Sequence, residues 1–232
     1  MDQDHTPYLI ATPIIDSDHK SIRDFAIKTI GQSKDPIEIA IKLYYAVRDM
    51  ILYDPYSPFY SPEHYRASYV LNRGKSFCVP KASLLCALGR TCGIASRVGL
   101  ADVRNHLTTQ QLVDFMGTDL FVCHGFVELY LEGKWVKATP AFNRELCIKH
   151  HVPPLEFNGR EDSLFQPYNL QKQKFMEYVA FRGVYADIPV DEIVDAWKKA
   201  YGEDRVNTWI KGLEKAEGPS LSKFEREEVL ED

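Results

Sequence analysis

The chain has 232 residues, 45% of them hydrophobic and 12% aromatic, with a formal net charge of −5. That composition describes a folded chain with a sizeable core and excludes a disordered or fibrous one. There is no basic surplus to neutralise a phosphate backbone and no apolar run long enough to span a bilayer, so neither nucleic acid nor a membrane is an expected partner.

At the N-terminus, Met1-Asp2-Gln3-Asp4-His5 is acidic and polar, unlike a secretory leader. An extended piece is expected over 8–15, and Asp16-Ser17-Asp18 offers cap residues for a helix over 21–30. Asp35 caps a second helix and Pro36 suits its first position. Ile37, Ala40, Ile41, Tyr44 and Val47 recur near a 3.6-residue period and carry that helix to about residue 51. Residues 54–62 hold three prolines and read as a loop.

A third helix opens at Cys78, with Pro80 in its first turn and Gly93 supplying a left-handed stop. Cys86 and Cys92 fall in that helix or at its end, as packing residues. A strand is expected over 94–103, then a polar connection or lid over 104–118. The clearest strand pair covers 121–131 and 134–141, joined across Glu132-Gly133. Residues 147–167 read as irregular. Ile193, Trp197 and Tyr201 fall at i, i+4 and i+8 and predict a terminal amphipathic helix, followed by ten charged, frayed residues. These elements make an α+β fold, a helical N-terminal half packed on an antiparallel sheet. Residues 1–232 read as a single domain, with a core at about 16–145 and a C-terminal elaboration over 146–232.

Five cysteines, an odd number with no CxxC pair, predict reduced thiols in a cytoplasm. His150-His151 stand beside no compact ligand set, and a metal site built from His106, His124, His150 and Glu128 has no supporting spacing, so neither metal nor cofactor is expected. Cys78 carries the chemistry. A helix N-terminus favours a negative sulfur, and a strand histidine, His124, can take the thiol proton and return it to a leaving group.

The hairpin sets the register. A two-residue turn at Glu132-Gly133 pairs Leu131 with Lys134, so His124 falls opposite Ala141 with Thr139 and Asn143 as diagonal neighbours. Alternation places all three on one face, about 7–8 Å apart across the diagonal. Thr139 or Asn143 is then positioned to orient the imidazole.

Several motifs stand in order: Tyr53; Gly74 and Cys78; Gly93-Ile94-Ala95-Ser96-Arg97-Val98; His124 with Phe126, Val127, Glu128 and Tyr130; Gly133-Lys134-Trp135; and Thr139-Pro140. In this arrangement, over roughly 43–143, the chain resembles the transglutaminase-like superfamily within the papain-like cysteine enzyme fold, most closely its small stand-alone bacterial members. The resemblance implies a Cys78 nucleophile attacking an amide or ester carbonyl, with His124 as general base and then acid. The acyl group would pass to water or to an amine, and the substrate class would be a peptide or protein. The family's third residue is usually an Asp, and Thr139 stands at the matching position. A hydroxyl can accept from an imidazole N–H but brings no charge to an imidazolium. Asn143 is the alternative orienter, in the role an Asn takes in the papain branch. The Cys78 backbone N–H is one expected oxyanion donor, with Tyr53 or Tyr69 as candidates for a second. His106 is the other histidine to test as a base. The competing reading is a binding or scaffold module that keeps the fold without the chemistry.

Overall fold

Helix α1 spans Lys20–Ile30 and α2 spans Pro36–Met50 in the computed structural model, which describes residues 4–106, 108–169, 171–215, 224 and 227–228. The cap of α1 is His19 rather than the preceding Asp-Ser-Asp run, its Nδ1 accepting from the Ser21 N–H at 3.3 Å. Asp16 instead accepts from the Ser68 N–H at 3.0 Å. The start of α2 follows the expected chemistry, with Asp35 Oδ1 accepting from the Ile37 N–H at 3.2 Å ahead of Pro36. The extended piece expected over 8–15 is irregular, entered through a 3-10 turn at Thr6–Tyr8.

Beyond α2 a two-residue strand, β1 (Leu52–Tyr53), leads into the proline-rich loop. A 3-10 turn at Pro62–Tyr65 and helix α3 (Ala67–Arg73) bring the chain back as β2 (Lys75–Ser76), parallel to β1. This pair fixes the start of helix α4, Cys78–Thr91, which is buried from Cys78 through Arg90. Lys81 is fully buried, and its Nζ donates to the Arg48 carbonyl at 3.0 Å and to the Ile51 carbonyl. It thereby satisfies backbone groups at and just beyond the C-terminal end of α2. Burial brings its pKa down to about 7. Gly93, at φ 77°, supplies the left-handed residue just past the helix.

The remaining elements are β3 (Ser96–Asn105), α5 (Gln110–Met116), β4 (Leu120–Leu131), β5 (Lys134–Ala138), α6 (Arg144–Lys149), β6 (Met176–Tyr185), α7 (Val190–Tyr201) and α8 (Glu203–Glu214). The strands form an antiparallel sheet in the order β5-β4-β3-β6, with α4 packed on β4 and β3. The fold is therefore α+β, with helices of the N-terminal half against an antiparallel sheet. Glu132 (φ 47°) and Gly133 (φ 82°) make a two-residue turn with both residues left-handed, and Leu131 pairs with Lys134. At that hairpin Arg97 pairs with Glu128 at 2.6 Å and lies over the Trp135 ring at 4.0 Å, so these motif residues hold β3, β4 and β5 together.

Four further expectations change. Strand β5 stops at Ala138, before Pro140 removes a ladder donor, and Asn143 becomes the first flanking residue of α6. The stretch 104–118 contains α5, capped by Thr109. The C-terminal part contributes β6 to the sheet edge beside β3. The terminal helix is two helices, broken at Gly202 (φ 96°). Of the ten residues expected to fray, all but 224, 227 and 228 lie outside the described residues. Among the described residues no helix is long and apolar enough to cross a membrane.

Candidate active site

Phe77, the cap residue of α4, has no side-chain oxygen to offer, so the first N–H groups of the helix are left for another partner. The Cys78 sulfur is that partner: the backbone N–H groups of Cys78 and Val79 approach it, joined by the N–H of Gly125 from β4. Gly125 makes the approach possible. A Cβ at this position would lie 2.7 Å from Val79 Cα and 3.1 Å from Val79 N, and both are backbone atoms that cannot turn away. Gly125→Ala should lower stability by about 1–3 kcal/mol through overpacking and slow alkylation of Cys78 about tenfold. Urea unfolding and chloroacetamide labelling read the two effects, and wild-type values in both would contradict the close approach.

His124 precedes that glycine, opposite Ala101 of β3, and its ring lines the same cavity as Cys78. The ring packs beside Phe165 at 5.2 Å, and Nε2 is buried with no hydrogen-bond partner. The local backbone is held from behind. Cys123 has φ 60°, a strained value for a residue with a Cβ. Its N–H donates to Asp102 Oδ1 at 3.0 Å, and Asp102 is clamped by Arg182 Nε at 2.5 Å and Nη2 at 2.9 Å. The bulge in the β3–β4 ladder falls at the same place, between Ala101 and Val103. Asp102 and Arg182 thus fix the turn of chain that presents His124.

Two buried hydroxyls, Thr139 Oγ1 and that of Tyr178, also lack a well-formed hydrogen bond, like His124 Nε2. The Phe165 backbone N–H and the Thr139 side chain approach the Tyr178 oxygen, while the Phe165 ring packs beside His124. Burial pushes the Tyr178 hydroxyl up to about 12 against those two groups. Thr139 is further fixed through its carbonyl, which accepts from the Tyr44 hydroxyl at 3.2 Å.

Asn143 is buried but serves a different residue: its Oδ1 accepts from the Tyr53 N–H at 3.2 Å. Once β5 ends, the register that put Asn143 on the His124 face no longer applies. Tyr53 lines the Cys78 cavity, its ring edge-on to Phe142 at 4.7 Å. Tyr69 and His106 are not brought to this cavity. Tyr69, on α3, packs 6.0 Å from the His64 ring, and His106 Nε2 lies 3.4 Å from Oε2 of Glu177 on β6. Among the described residues no three His, Cys, Asp or Glu side chains gather as a metal-ligand group.

The electrostatics differ from the expected helix-stabilised thiolate. Burial pushes the Cys78 thiol up to about 11, outweighing the three N–H groups that pull it down. Burial also takes His124 down to about 3, with no partner opposing it. Both groups are therefore neutral at pH 7, a thiol and an imidazole rather than an ion pair.

The cavity in front of Cys78 and His124 has a volume of about 290 Å³. β4 supplies Phe121 and Val122, α5 supplies Leu112 and Phe115, and α7 and α8 close it with Trp197 and Trp209. Of the residues missed from sequence, Gly125 had a readable signal, a glycine inside an apolar strand, and so did Asp102, an acid within Leu100-Ala101-Asp102-Val103. Tyr178 had none, because its position depends on the pairing of β6.

The transglutaminase-like superfamily model matches residues 23–140, over half of the chain. No curated protein matches the chain. Among solved structures, one from Cytophaga hutchinsonii, bearing the name "Putative Cysteine Protease", has a similar arrangement with a TM-score of 0.46 and 18% identity. The similarity covers 60% of this chain and 43% of that one, so this chain spans less than half the length of that protein.

Proposed function

The chain belongs to the transglutaminase-like superfamily, and we propose that it is a cysteine-dependent acyl-transfer enzyme acting on amide or ester carbonyls. The observation that carries this reading is the meeting of Cys78, at the first residue of α4, with His124 in the wall of one cavity, across the close approach at Gly125. The steps follow from the groups present. A substrate carbonyl carbon enters beside the sulfur. His124 takes the thiol proton as the S–C bond forms, and the carbonyl electron pair moves onto oxygen. The N–H groups of Gly125, Val79 and Cys78, already beside the sulfur, are the candidate donors to that oxyanion. Collapse of the intermediate breaks the bond to the leaving group, which departs with the proton from His124 and leaves a thioester on Cys78. Water or an amine then attacks the thioester, releasing acid or amide and restoring the thiol.

Starting from a neutral pair has a mechanistic consequence. Burial, which pushes the thiol up and the imidazole down, disfavours transfer of the proton ahead of S–C bond formation. Transfer is concerted with S–C bond formation, which acidifies the thiol as it reacts. His124 Nε2 has no hydrogen-bond partner, so no side chain fixes the tautomer of the ring.

The second reading, a binding module without chemistry, is favoured by one observation: neither Cys78 nor Thr139 is hydrogen-bonded to the His124 ring. Rapid mixing with a nitrophenyl ester separates the two. The enzyme reading expects a burst of one equivalent of nitrophenol per chain, followed by slower turnover. A trace without a burst and without turnover supports the binding module.

A further inference from the structure

We propose that the cavity in front of Cys78 is an acyl-group pocket selective for neutral, bulky apolar groups, an aryl or arylalkyl group above all. This rests on the reading of Cys78 as the acyl-accepting nucleophile.

Three features of the wall carry the inference. First, none of the described residues lining the cavity is charged. A carboxylate, ammonium or phosphate placed there would lose its water without gaining a counter-charge, at a cost of several kcal/mol. Second, most polar atoms of the wall are engaged with the protein itself. Trp197 Nε1–H donates to the Val122 carbonyl at 2.8 Å, and the Val122 N–H donates to the Tyr201 hydroxyl at 2.7 Å. The Tyr56 hydroxyl donates to Glu227 Oε1 at 2.8 Å, and Thr208 Oγ1 donates to the Asp204 carbonyl at 2.8 Å. Among the described wall residues, Ser57 Oγ and His124 Nε2 are buried without a hydrogen-bond partner. What faces the cavity is therefore mostly ring and hydrocarbon.

Third, size and shape suit a ring system. The volume of about 290 Å³ is roughly twice that of a cavity of about 150 Å³ known to take one benzene. Phe115 and Trp209 stack at 4.4 Å and 13°, and Phe59 and Trp197 lie 4.8 Å apart. A flat aromatic guest can extend such a stack or meet it edge-on. The walls from α7 and α8 lie beyond residue 140, outside the segment matched by the superfamily. The C-terminal helices thus complete an apolar wall begun by residues of the matched segment, such as Phe59, Phe115 and Phe121, and such a wall disfavours a polar amide side chain.

Chloroacetamides test the pocket without requiring turnover: the Cys78 sulfur displaces chloride from the α-carbon, and the thiol proton leaves with it as HCl. The probes are chloroacetamide, its N-naphthylmethyl derivative and its N-carboxymethyl derivative. Alkylation of Cys78 is followed by intact mass and peptide mapping, each rate divided by that of free N-acetylcysteine. The expected result is a naphthylmethyl rate about tenfold or more above the parent, from apolar area buried, and a carboxymethyl rate below it. The naphthylmethyl-to-parent ratio should fall toward one in Thr208→Trp, which crowds the cavity from an exposed position on α8, and in Trp209→Ala, which removes half of a stack. Labelling of Cys78 by the parent with no naphthylmethyl preference in the wild type overturns the pocket and leaves the nucleophile reading standing. Failure of every probe to label Cys78 overturns both.

Discussion

His124→Ala should slow acylation of Cys78 by an ester at neutral pH by about 10²-fold, the low end of what a general base contributes. The low end applies because a base held near 3 by burial drives proton transfer weakly. The pH profile carries more information than the magnitude. In the wild type the imidazole is already in its basic form above about pH 3, and the thiol stays protonated until about pH 11. Its acylation rate should therefore be flat across the neutral range. Without His124 the reaction depends on free thiolate, about one part in 10⁴ at pH 7 for a thiol near 11. The variant's rate should then rise tenfold per pH unit and approach the wild type under alkaline conditions. Stopped-flow acylation across pH checks this. A variant with the flat wild-type profile would remove His124 from the mechanism.

The parts of this site legible in the sequence are those governed by local chemistry. Cap and period fixed α2, with Asp35, Pro36 and the stripe through Tyr44 and Val47. The turn at Glu132-Gly133 set the register that brings Ala138 opposite Val127. The same logic failed where it was extended past a strand end: Pro140 stops β5, and Asn143 turns to Tyr53 instead of His124. Short or exposed elements left weak patterns. α3 is seven residues long, and β6 exposes much of its length, so neither shows a clean period. In α5, Leu112, Phe115 and Met116 do keep helical spacing, but among Gln110, Gln111 and Asp114 they read as a polar connection. The helix start at Cys78 was legible, whereas its electrostatics were not. A helix N-terminus is a property of sequence neighbours, but the burial that outweighs it comes from β4, α7 and α8, which only the fold assembles.

Cys78→Ala has the largest expected effect. With the sulfur gone, the other thiol among the described wall residues, Cys123, is pushed up to about 11 as Cys78 is, but lacks the backbone N–H groups that surround Cys78. Turnover should fall by at least about 10³-fold, the scale on which loss of a nucleophile is felt. Folding should be nearly unaffected, because a cysteine of this kind packs as a small hydrophobe. His124→Ala, by contrast, keeps a slow thiolate reaction that rises with pH.

The most direct measurement is the position of the acyl group itself. Wild-type protein mixed with a naphthylacetyl nitrophenyl ester, quenched in acid and digested, should carry one acyl group as a hydroxylamine-sensitive thioester on the peptide containing Cys78. The same peptide of Cys78→Ala should carry none. An acyl group found on Cys86, Cys123 or Cys147 with Cys78 unmodified, or no thioester on any cysteine, would contradict the assignment of Cys78 as the nucleophile.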